Sequence, residues 1–310
     1  MNILDQHIGK NFALYNGDCI EVLRDIPGNS IHGMGFSPPF ASLYTYSASE
    51  RDLGNARNED EFLENFRFAA EQFYRVLMPG RILWCHCMDI PAMKERDGFI
   101  GLHDFPGDLI RLFQSVGFIY HSRVAIWKDP LVEATRTKAL GLMHKQIVKD
   151  SSMCRQGLPD YVIAVRKPGE NPEHIAHPEG FTEFLGDTGP DVGDATEYSH
   201  QVWRRYASPV WMDIRQSNTL NRTAARAEGD ERHICPLQLD VIARCWELWT
   251  NPGDTVCSPF AGIGSEIYQA LLMGRRGIGI ELKPSYYQQA VKNCDQAEAE
   301  CAINASPKLQ

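Results

Sequence analysis

The sequence lacks closely paired cysteines, long apolar runs and an excess of positive charge. None of its nine cysteines forms a CxxC pair, which disfavours both a structural zinc site and a disulfide framework. No stretch approaches the roughly 18 apolar residues of a membrane span, and no basic segment followed by an apolar run opens the chain. We therefore expect a cytoplasmic protein with reduced core cysteines, without a metal ion and without a membrane partner.

The formal net charge of −9 argues against a protein that coats nucleic acid by long-range attraction, because non-specific DNA binding depends on phosphate neutralisation. A DNA enzyme would need locally basic segments. Residues 128–159 carry six Lys or Arg against three acids, and six arginines lie between positions 204 and 232, whereas residues 169–200 carry eight acids and neither Lys nor Arg. Each segment is compatible with an ordinary solvated surface as well as with a binding face.

Predicted strands and helices alternate along the chain. Its 310 residues are enough for a catalytic domain with a substantial insertion. Apolar patterning predicts helices at 61–77, 107–115 and 236–248, and strands at 12–19, 31–36, 82–87, 118–127, 161–165, 254–257 and 277–280. Between 128 and 159 the pattern lapses. Such alternation predicts an α/β fold.

A glycine-rich segment separates the strand at 254–257 from a helix and reads Ser258-Pro259-Phe260-Ala261-Gly262-Ile263-Gly264-Ser265. Glycines at 262 and 264 allow a ligand to approach the backbone, and the helix start offers N–H groups to an anion. Glu281 ends the next strand, where an acid accepts hydrogen bonds from ribose hydroxyls. The pattern predicts a ribonucleoside cofactor. A nicotinamide cofactor stays an alternative, although Ile267 replaces the third glycine of its fingerprint.

A second motif, Ser37-Pro38-Pro39-Phe40, ends the strand at 31–36. Two consecutive prolines prevent further sheet pairing through their nitrogens and immediate entry into a helix, so the chain must loop outward. Taken alone, such a motif is more often a turn than a catalytic site. Because ligands of open α/β sheets bind at the carboxyl ends of strands, we expect both motifs to line one crevice and the early one to hold a planar substrate.

The early motif resembles the (Asp/Asn/Ser)-Pro-Pro-(Tyr/Phe/Trp) motif of DNA amino-methyltransferases, and Phe260-Ala261-Gly262-Ile263-Gly264 resembles their S-adenosylmethionine loop, FxGxG. The order of the two motifs is that of the permuted β-group of this family. The resemblance covers residues 12–128 and 231–295, and it departs at Ser258, where the family usually has Asp. Further matches to its pattern are Gly17-Asp18-Cys19, His233 with Pro236-Leu237, and Glu281.

The resemblance implies an α/β, Rossmann-like class I methyltransferase domain that is circularly permuted and carries an inserted target-recognition region. Residues 1–128 would form the catalytic half, residues 129–230 the target-recognition insertions with a core strand near 161–165, and residues 231–310 the S-adenosylmethionine-binding half. The implied cofactor is S-adenosylmethionine. The implied partner is double-stranded DNA, at the nucleoid and in a restriction-modification setting, and a homodimer is compatible with the family.

The resemblance also implies base flipping, because the exocyclic amine of a base lies within the duplex stack. Phe40 would stack against the flipped base, Ser37 Oγ and the Pro38 carbonyl would accept hydrogen bonds from the amine, and Pro39 would help to stiffen the loop. Asp18 is also typical of a helix cap, and His233 of a surface ion pair. The residues implied at the cofactor are Asp18, His233, Pro236, Phe260, Gly262, Gly264, Ser265 and Glu281.

Cytosine N4 is the favoured target, since serine at the first motif position leans towards cytosine N4 in the family and aspartate towards adenine N6. Adenine N6 stays the alternative, and a carbon-5 cytosine methyltransferase is excluded because the chain has no Pro-Cys dipeptide. A non-catalytic DNA-binding relative, a nicotinamide oxidoreductase and an enzyme acting on RNA or free bases remain open. For Cys85-His86-Cys87 core packing is favoured over a metal site, because alternate strand residues point to opposite faces.

Overall fold

The computed structural model describes residues 3–39, 56, 59–137, 142–178, 180–181, 195–221 and 236–305. Its strands are β1 (Ile3–Ile8), β2 (Phe12–Gly17), β3 (Gly33–Phe36), β4 (Ile82–Cys87), β5 (Ile90–Ala92), β6 (Gly101–His103), β7 (Ile119–Ile126), β8 (Asp160–Arg166), β9 (Val210–Trp211), β10 (Thr255–Ser258) and β11 (Arg276–Glu281). Its α-helices are α1 (Cys19–Asp25), α2 (Glu59–Val76), α3 (Lys94–Asp97), α4 (Phe105–Val116), α5 (Pro130–Thr137), α6 (His144–Lys149), α7 (Ala195–Ala207), α8 (Leu239–Trp249), α9 (Ser265–Leu272) and α10 (Pro284–Ala305).

Nine strands form one sheet in the order β1-β2-β11-β10-β3-β4-β8-β7-β9. The five strands from β2 to β4 in this order are mutually parallel, whereas β8 runs antiparallel to both β4 and β7. All five parallel strands therefore present their carboxyl ends at one edge. The expectation of an α/β fold is confirmed, and β3 and β10, which precede the two motifs, are neighbours in the sheet.

The central strands are short and almost wholly buried because helices cover both faces of the sheet. All four residues of β3 are buried, as are five of the six residues of β4. Aromatic side chains fill one side, where Phe36 packs between Phe66 and Phe73. Two indoles fill the other side, and the rings of Trp84 and Trp246 meet edge to face with their centroids 5.0 Å apart. The ends of β3 and β4 thus rest on a close-packed core.

Residues 195–221, within the region predicted as insertions, are tied to the core through α8. The guanidinium of Arg244 is fully buried, lies 3.0 Å from Asp213 and stacks over the ring of Trp211. Arg215 donates three hydrogen bonds to the buried carboxylate of Asp240, two from its guanidinium and one from its backbone N–H. The region predicted as insertions, residues 129–230, also contributes β8 and β9 to the main sheet. It therefore adds core strands as well as surface segments.

The sequence predicts no regular element between 128 and 159, but the structure has two helices there, α5 and α6. They are eight and six residues long, and most of the side chains described in them are exposed, so they leave little apolar periodicity for a sequence pattern to reveal. Within the described residues, no helix combines the length and apolar character needed to cross a bilayer.

We predict that Gly35→Ala destabilises the fold. A Cβ at Gly35 would clash with the fully buried indole of Trp84 on β4, which has no room to move away from it. Overpacking of this kind costs about 1–3 kcal/mol, measurable as the free energy of unfolding in urea. Gly28→Ala is the matched control, because its Cβ would meet the backbone oxygen of Arg75 at an ordinary 3.4 Å. Equal stability of the two variants would contradict the prediction.

Candidate active site

The two sequence motifs lie side by side at the carboxyl edge of the sheet. Cys257 of β10 pairs with Met34 of β3, so the segments that follow both strands leave the sheet next to each other. The ring of Phe260 meets the ring of Phe36 edge to face, with centroids 5.4 Å apart, and Phe36 immediately precedes Ser37. Phe260 also stacks on Phe66, and its ring is thus part of the aromatic core that supports both motifs.

The structure gives different reasons for a glycine at the two glycine positions of the late motif. Both have positive φ, 53° at Gly262 and 85° at Gly264, which disfavours other residues. A Cβ at Gly262 would meet no atom within 4 Å, whereas a Cβ at Gly264 would lie 3.1 Å from the Cβ of Ala290 on α10. A Cβ at Gly262 would therefore point into open space. Gly264 permits close packing of α10, a reason that the sequence did not reveal.

Glu281 is fixed beside the glycine loop. Its carboxylate accepts hydrogen bonds from the backbone N–H of Gly262 at 2.8 Å and of Lys283 at 2.8 Å. The buried amide of Asn16 donates to the backbone oxygens of Glu281 and Leu282 and holds the end of β11 against β2. Sequence reasoning missed Asn16, whose only signal is a polar residue at the end of a predicted strand.

Three of the other predicted cofactor residues, Asp18, Ser265 and Pro236, belong to the described part of the chain. Asp18 caps α1, because its Oδ1 accepts hydrogen bonds from the backbone N–H groups of Ile20 and Glu21. Asn16 is in register with Glu281, so Asp18, two residues farther along, lies just beyond the same edge of the sheet. The role of Asp18 towards a cofactor stays a prediction. Ser265 is buried at the start of α9, and Pro236 is half-buried before α8. Phe40 and His233 lie outside the described residues.

A row of polar side chains begins at Ser37. Its Oγ lies 3.1 Å from Nδ1 of His86 on β4. Nε2 of His86 lies 3.4 Å from Oδ2 of Asp160, the first residue of β8, and Oδ1 of Asp160 accepts a 2.6 Å hydrogen bond from Nζ of Lys128. The sequence identified Ser37 but missed these three partners, which come from three other segments.

The strand pattern did predict which way His86 points. Cys85 and Cys87 are fully buried in the core, as expected, and His86 faces away from them. Phe36 pairs with Cys85, so the next residues along the two parallel strands are Ser37 and His86. The contact between them follows from this register, which becomes visible only when the strand order is known.

Asp160 is a buried anion. Burial raises the pKa of its carboxyl, but His86 and the ammonium of Lys128 outweigh that effect and bring the pKa to about 2. Lys128 is therefore engaged within the protein. The same holds for Arg155, which lies 3.5 Å from the buried carboxylate of Glu133. Two of the six cations between 128 and 159 thus form internal ion pairs.

Glu266, in the first turn of α9, is an acid whose pKa is raised by burial. Its side chain is buried, and burial, to which the charge of Glu281 adds, raises the pKa of its carboxyl to about 8. It is therefore predominantly protonated at pH 7 in the folded protein, directly behind the glycine loop.

Residues 31–292 match the model of a family described as DNA methylase. The type II methyltransferase M.BglII of Bacillus subtilis is 26% identical over 291 residues, which cover 91% of this chain and 67% of M.BglII. Another curated type II methyltransferase is matched over only 57% of its own length. The chain thus spans about two thirds or less of these relatives.

Solved structures share the fold over almost the whole chain. The PvuII DNA methyltransferase, described as cytosine-N4-specific, has a TM-score of 0.63 at 18% identity, with 98% of each chain covered. TTHA0409 from Thermus thermophilus, in complex with S-adenosyl-L-methionine, has a TM-score of 0.63 at 21% identity, with 92% and 93% covered. These matches confirm the expected methyltransferase fold.

We predict that Glu266→Gln stabilises the protein more at pH 8 than at pH 5. The pKa of Glu266 is about 8 in the folded protein against an ordinary 4.5, so between these values only the unfolded chain loses the proton. Wild-type stability therefore falls as pH rises through this window, by up to a few kcal/mol, and glutamine removes that loss. Thermal unfolding at both pH values measures the difference.

The control for this experiment is Glu95→Gln on the exposed surface of α3. Its effect on the thermal midpoint should be small and similar at pH 5 and pH 8. A Glu266→Gln effect that does not grow with pH would contradict the prediction.

Proposed function

The chain belongs to the N6/N4 DNA methylase family of S-adenosylmethionine-dependent enzymes, and we propose that it methylates cytosine N4 in double-stranded DNA. The observation that carries the proposal is the position of Ser37, directly beyond β3 and beside the glycine loop that follows β10. A hydroxyl that accepts from an amine and a loop suited to a nucleoside cofactor meet at one edge of the sheet.

The glycine loop and its surroundings would hold the cofactor. Glu281, fixed by its bond to the backbone N–H of Gly262, presents a carboxylate suited to ribose hydroxyls, and the open face of Gly262 allows close approach to the backbone. The buried start of α9 at Ser265 offers N–H groups to a carboxylate. When bound, S-adenosylmethionine supplies a methyl group on a sulfonium, which is an activated electrophile.

The early motif would orient the substrate amine. The amine of cytosine or adenine is a poor nucleophile because its lone pair is delocalised into the ring. Hydrogen bonds from the amine to Ser37 Oγ and the Pro38 carbonyl would fix its direction, and Phe40 would stack on the flipped base. Pro38 is buried and Pro39 half-buried, so little ordering of these two residues is needed when the base arrives.

Cytosine is preferred over adenine because a serine, not an aspartate, stands at position 37. In the family, serine at this position leans towards cytosine N4. Adenine N6 is the second candidate, since it presents the same chemistry, an exocyclic amine beside a ring nitrogen.

The experiment is incubation of the protein with unmethylated DNA and S-adenosylmethionine whose methyl group carries deuterium, followed by nucleoside digestion and mass spectrometry. We expect deuterated N4-methylcytosine. Deuterated N6-methyladenine would overturn the base assignment but support the transfer, and the absence of both products would overturn the proposed function. A reaction without DNA is the control for self-methylation.

We predict that Glu281→Ala weakens S-adenosylmethionine binding roughly tenfold to hundredfold, since hydrogen bonds to a charged group contribute about 1.5–3 kcal/mol. Titration calorimetry measures the affinity. The control is Glu71→Ala on the exposed surface of α2, where the affinity should be unchanged. If Glu281→Ala binds as tightly as the wild type while remaining folded, Glu281 is not part of the cofactor site.

A further inference from the structure

The row of side chains behind Ser37 links the proposed amine acceptor to a buried anion. Ser37 Oγ lies 3.1 Å from Nδ1 of His86, and Asp160 Oδ2 lies 3.4 Å from Nε2 on the other side of the ring. Only 12% of the His86 side chain and 9% of the Asp160 side chain are exposed. The imidazole thus lies between the hydroxyl of Ser37 and the carboxylate of Asp160.

This arrangement selects one tautomer of the neutral imidazole. The charge of Asp160, 3.4 Å from Nε2, favours the form with its hydrogen on Nε2 through space, although the two atoms are not aligned for a hydrogen bond. Nδ1 consequently carries a lone pair and accepts the hydroxyl hydrogen of Ser37. The lone pairs of Ser37 Oγ are then directed away from His86, where they can accept from a substrate amine.

A hydroxyl at position 37 also requires a second proton acceptor nearby, which a carboxylate at that position would not require. An amine that has accepted a methyl group carries a positive charge and must release a proton. A carboxylate at position 37 could take that proton directly, but a hydroxyl can take it only by giving up its own. Among the described residues, His86 provides such an acceptor, since its Nδ1 lies 3.1 Å from Ser37 Oγ.

We propose that His86, held in its tautomer by Asp160, orients the Ser37 hydroxyl and receives the proton released by the methylated base. This rests on the proposed function. The amine nitrogen attacks the methyl carbon, the bond from sulfur to methyl breaks, and the sulfonium becomes a neutral thioether. One N–H proton then passes to Ser37 Oγ as the Ser37 proton passes to Nδ1, and the electron pair of the N–H bond returns to nitrogen.

The resulting imidazolium lies beside Asp160, whose charge stabilises it, and it returns its proton to solvent before the next turnover. The charged groups of the row are Asp160 on β8 and Lys128 after β7. On β4 itself, Cys85 and Cys87 point to the opposite face. The ammonium of Lys128 donates a 2.6 Å hydrogen bond to Oδ1 of Asp160, so the row contains one paired carboxylate that faces the imidazolium.

His86→Asn separates orientation from proton transfer. The asparagine amide oxygen can accept the Ser37 hydroxyl hydrogen at about the place of Nδ1, but it does not take up a proton. We expect the single-turnover rate of methyl transfer to fall at least about hundredfold, in the range of general acid–base catalysis. The DNA concentration for half-maximal rate and the calorimetric affinity for S-adenosylmethionine should stay within about twofold, because in this proposal His86 acts only through Ser37.

His86→Ala provides the second variant, because added imidazole can occupy the space of the missing ring. Imidazole should restore part of the rate of His86→Ala and none of the rate of Ser37→Ala. The matched control is His32→Asn at the opposite end of β3, a histidine with 17% of its side chain exposed that lies 3.4 Å from Glu173. Its rate should equal that of the wild type.

The outcomes distinguish the two proposals. If the wild-type protein yields no methylated base, the proposed function fails. If the wild type methylates DNA and His86→Asn matches its single-turnover rate, the proton relay fails and the proposed function stands. A loss of rate in His86→Ala that imidazole does not restore, accompanied by an equal loss of cofactor affinity, would show a merely structural role and overturn the relay.

Discussion

The parallel pairing of β3 with β10 is the constraint on which the site depends. Met34 and Cys257 are adjacent in the sheet although 223 positions separate them in the chain. Gly33 makes room for the side chains of Thr250 and Trp246 against β3, since a Cβ at Gly33 would lie 2.6 Å from Thr250 and 3.4 Å from Trp246. Helix α8 therefore packs directly on β3. A larger residue at 33 would move the strand, and with it the position of Ser37 relative to the glycine loop.

Local pattern was sufficient to predict what each strand carries at its end. The segments after β3, β10 and β11 were identified because proline, glycine and a terminal acid have fixed conformational or chemical consequences. The local sequence pattern did not predict contacts that depend on the order of the strands in the sheet. Asn16 reaches Glu281 because β2 lies beside β11, and His86 reaches Ser37 because β4 lies beside β3. Sheet neighbours are determined by the packing of the whole chain, which no short window of sequence contains.

The same reasoning explains why the predicted halves are interleaved in space. Strand β2, early in the chain, pairs with β11 near the end, so an element of the predicted catalytic half supports the predicted cofactor half. Helix α10 covers this region with four buried side chains at helical spacing, Tyr287, Ala290, Cys294 and Ala297. The spacing was present in the sequence, but two alanines and a cysteine among many polar residues give a weak apolar signal. Their small size is what the contact with Gly264 requires.

Charge counted along the sequence is a poor guide to the surface that DNA would meet. Arg81, Arg244 and Arg275 are almost completely buried and paired with acids, so they contribute to the interior and not to phosphate contacts. Lys128 is likewise turned inward to Asp160, at the point where the sheet gives way to the predicted insertion. The ammonium of Lys128 therefore stabilises the anion behind His86. This basic residue thereby helps to organise the edge of the sheet at which Ser37 and His86 lie.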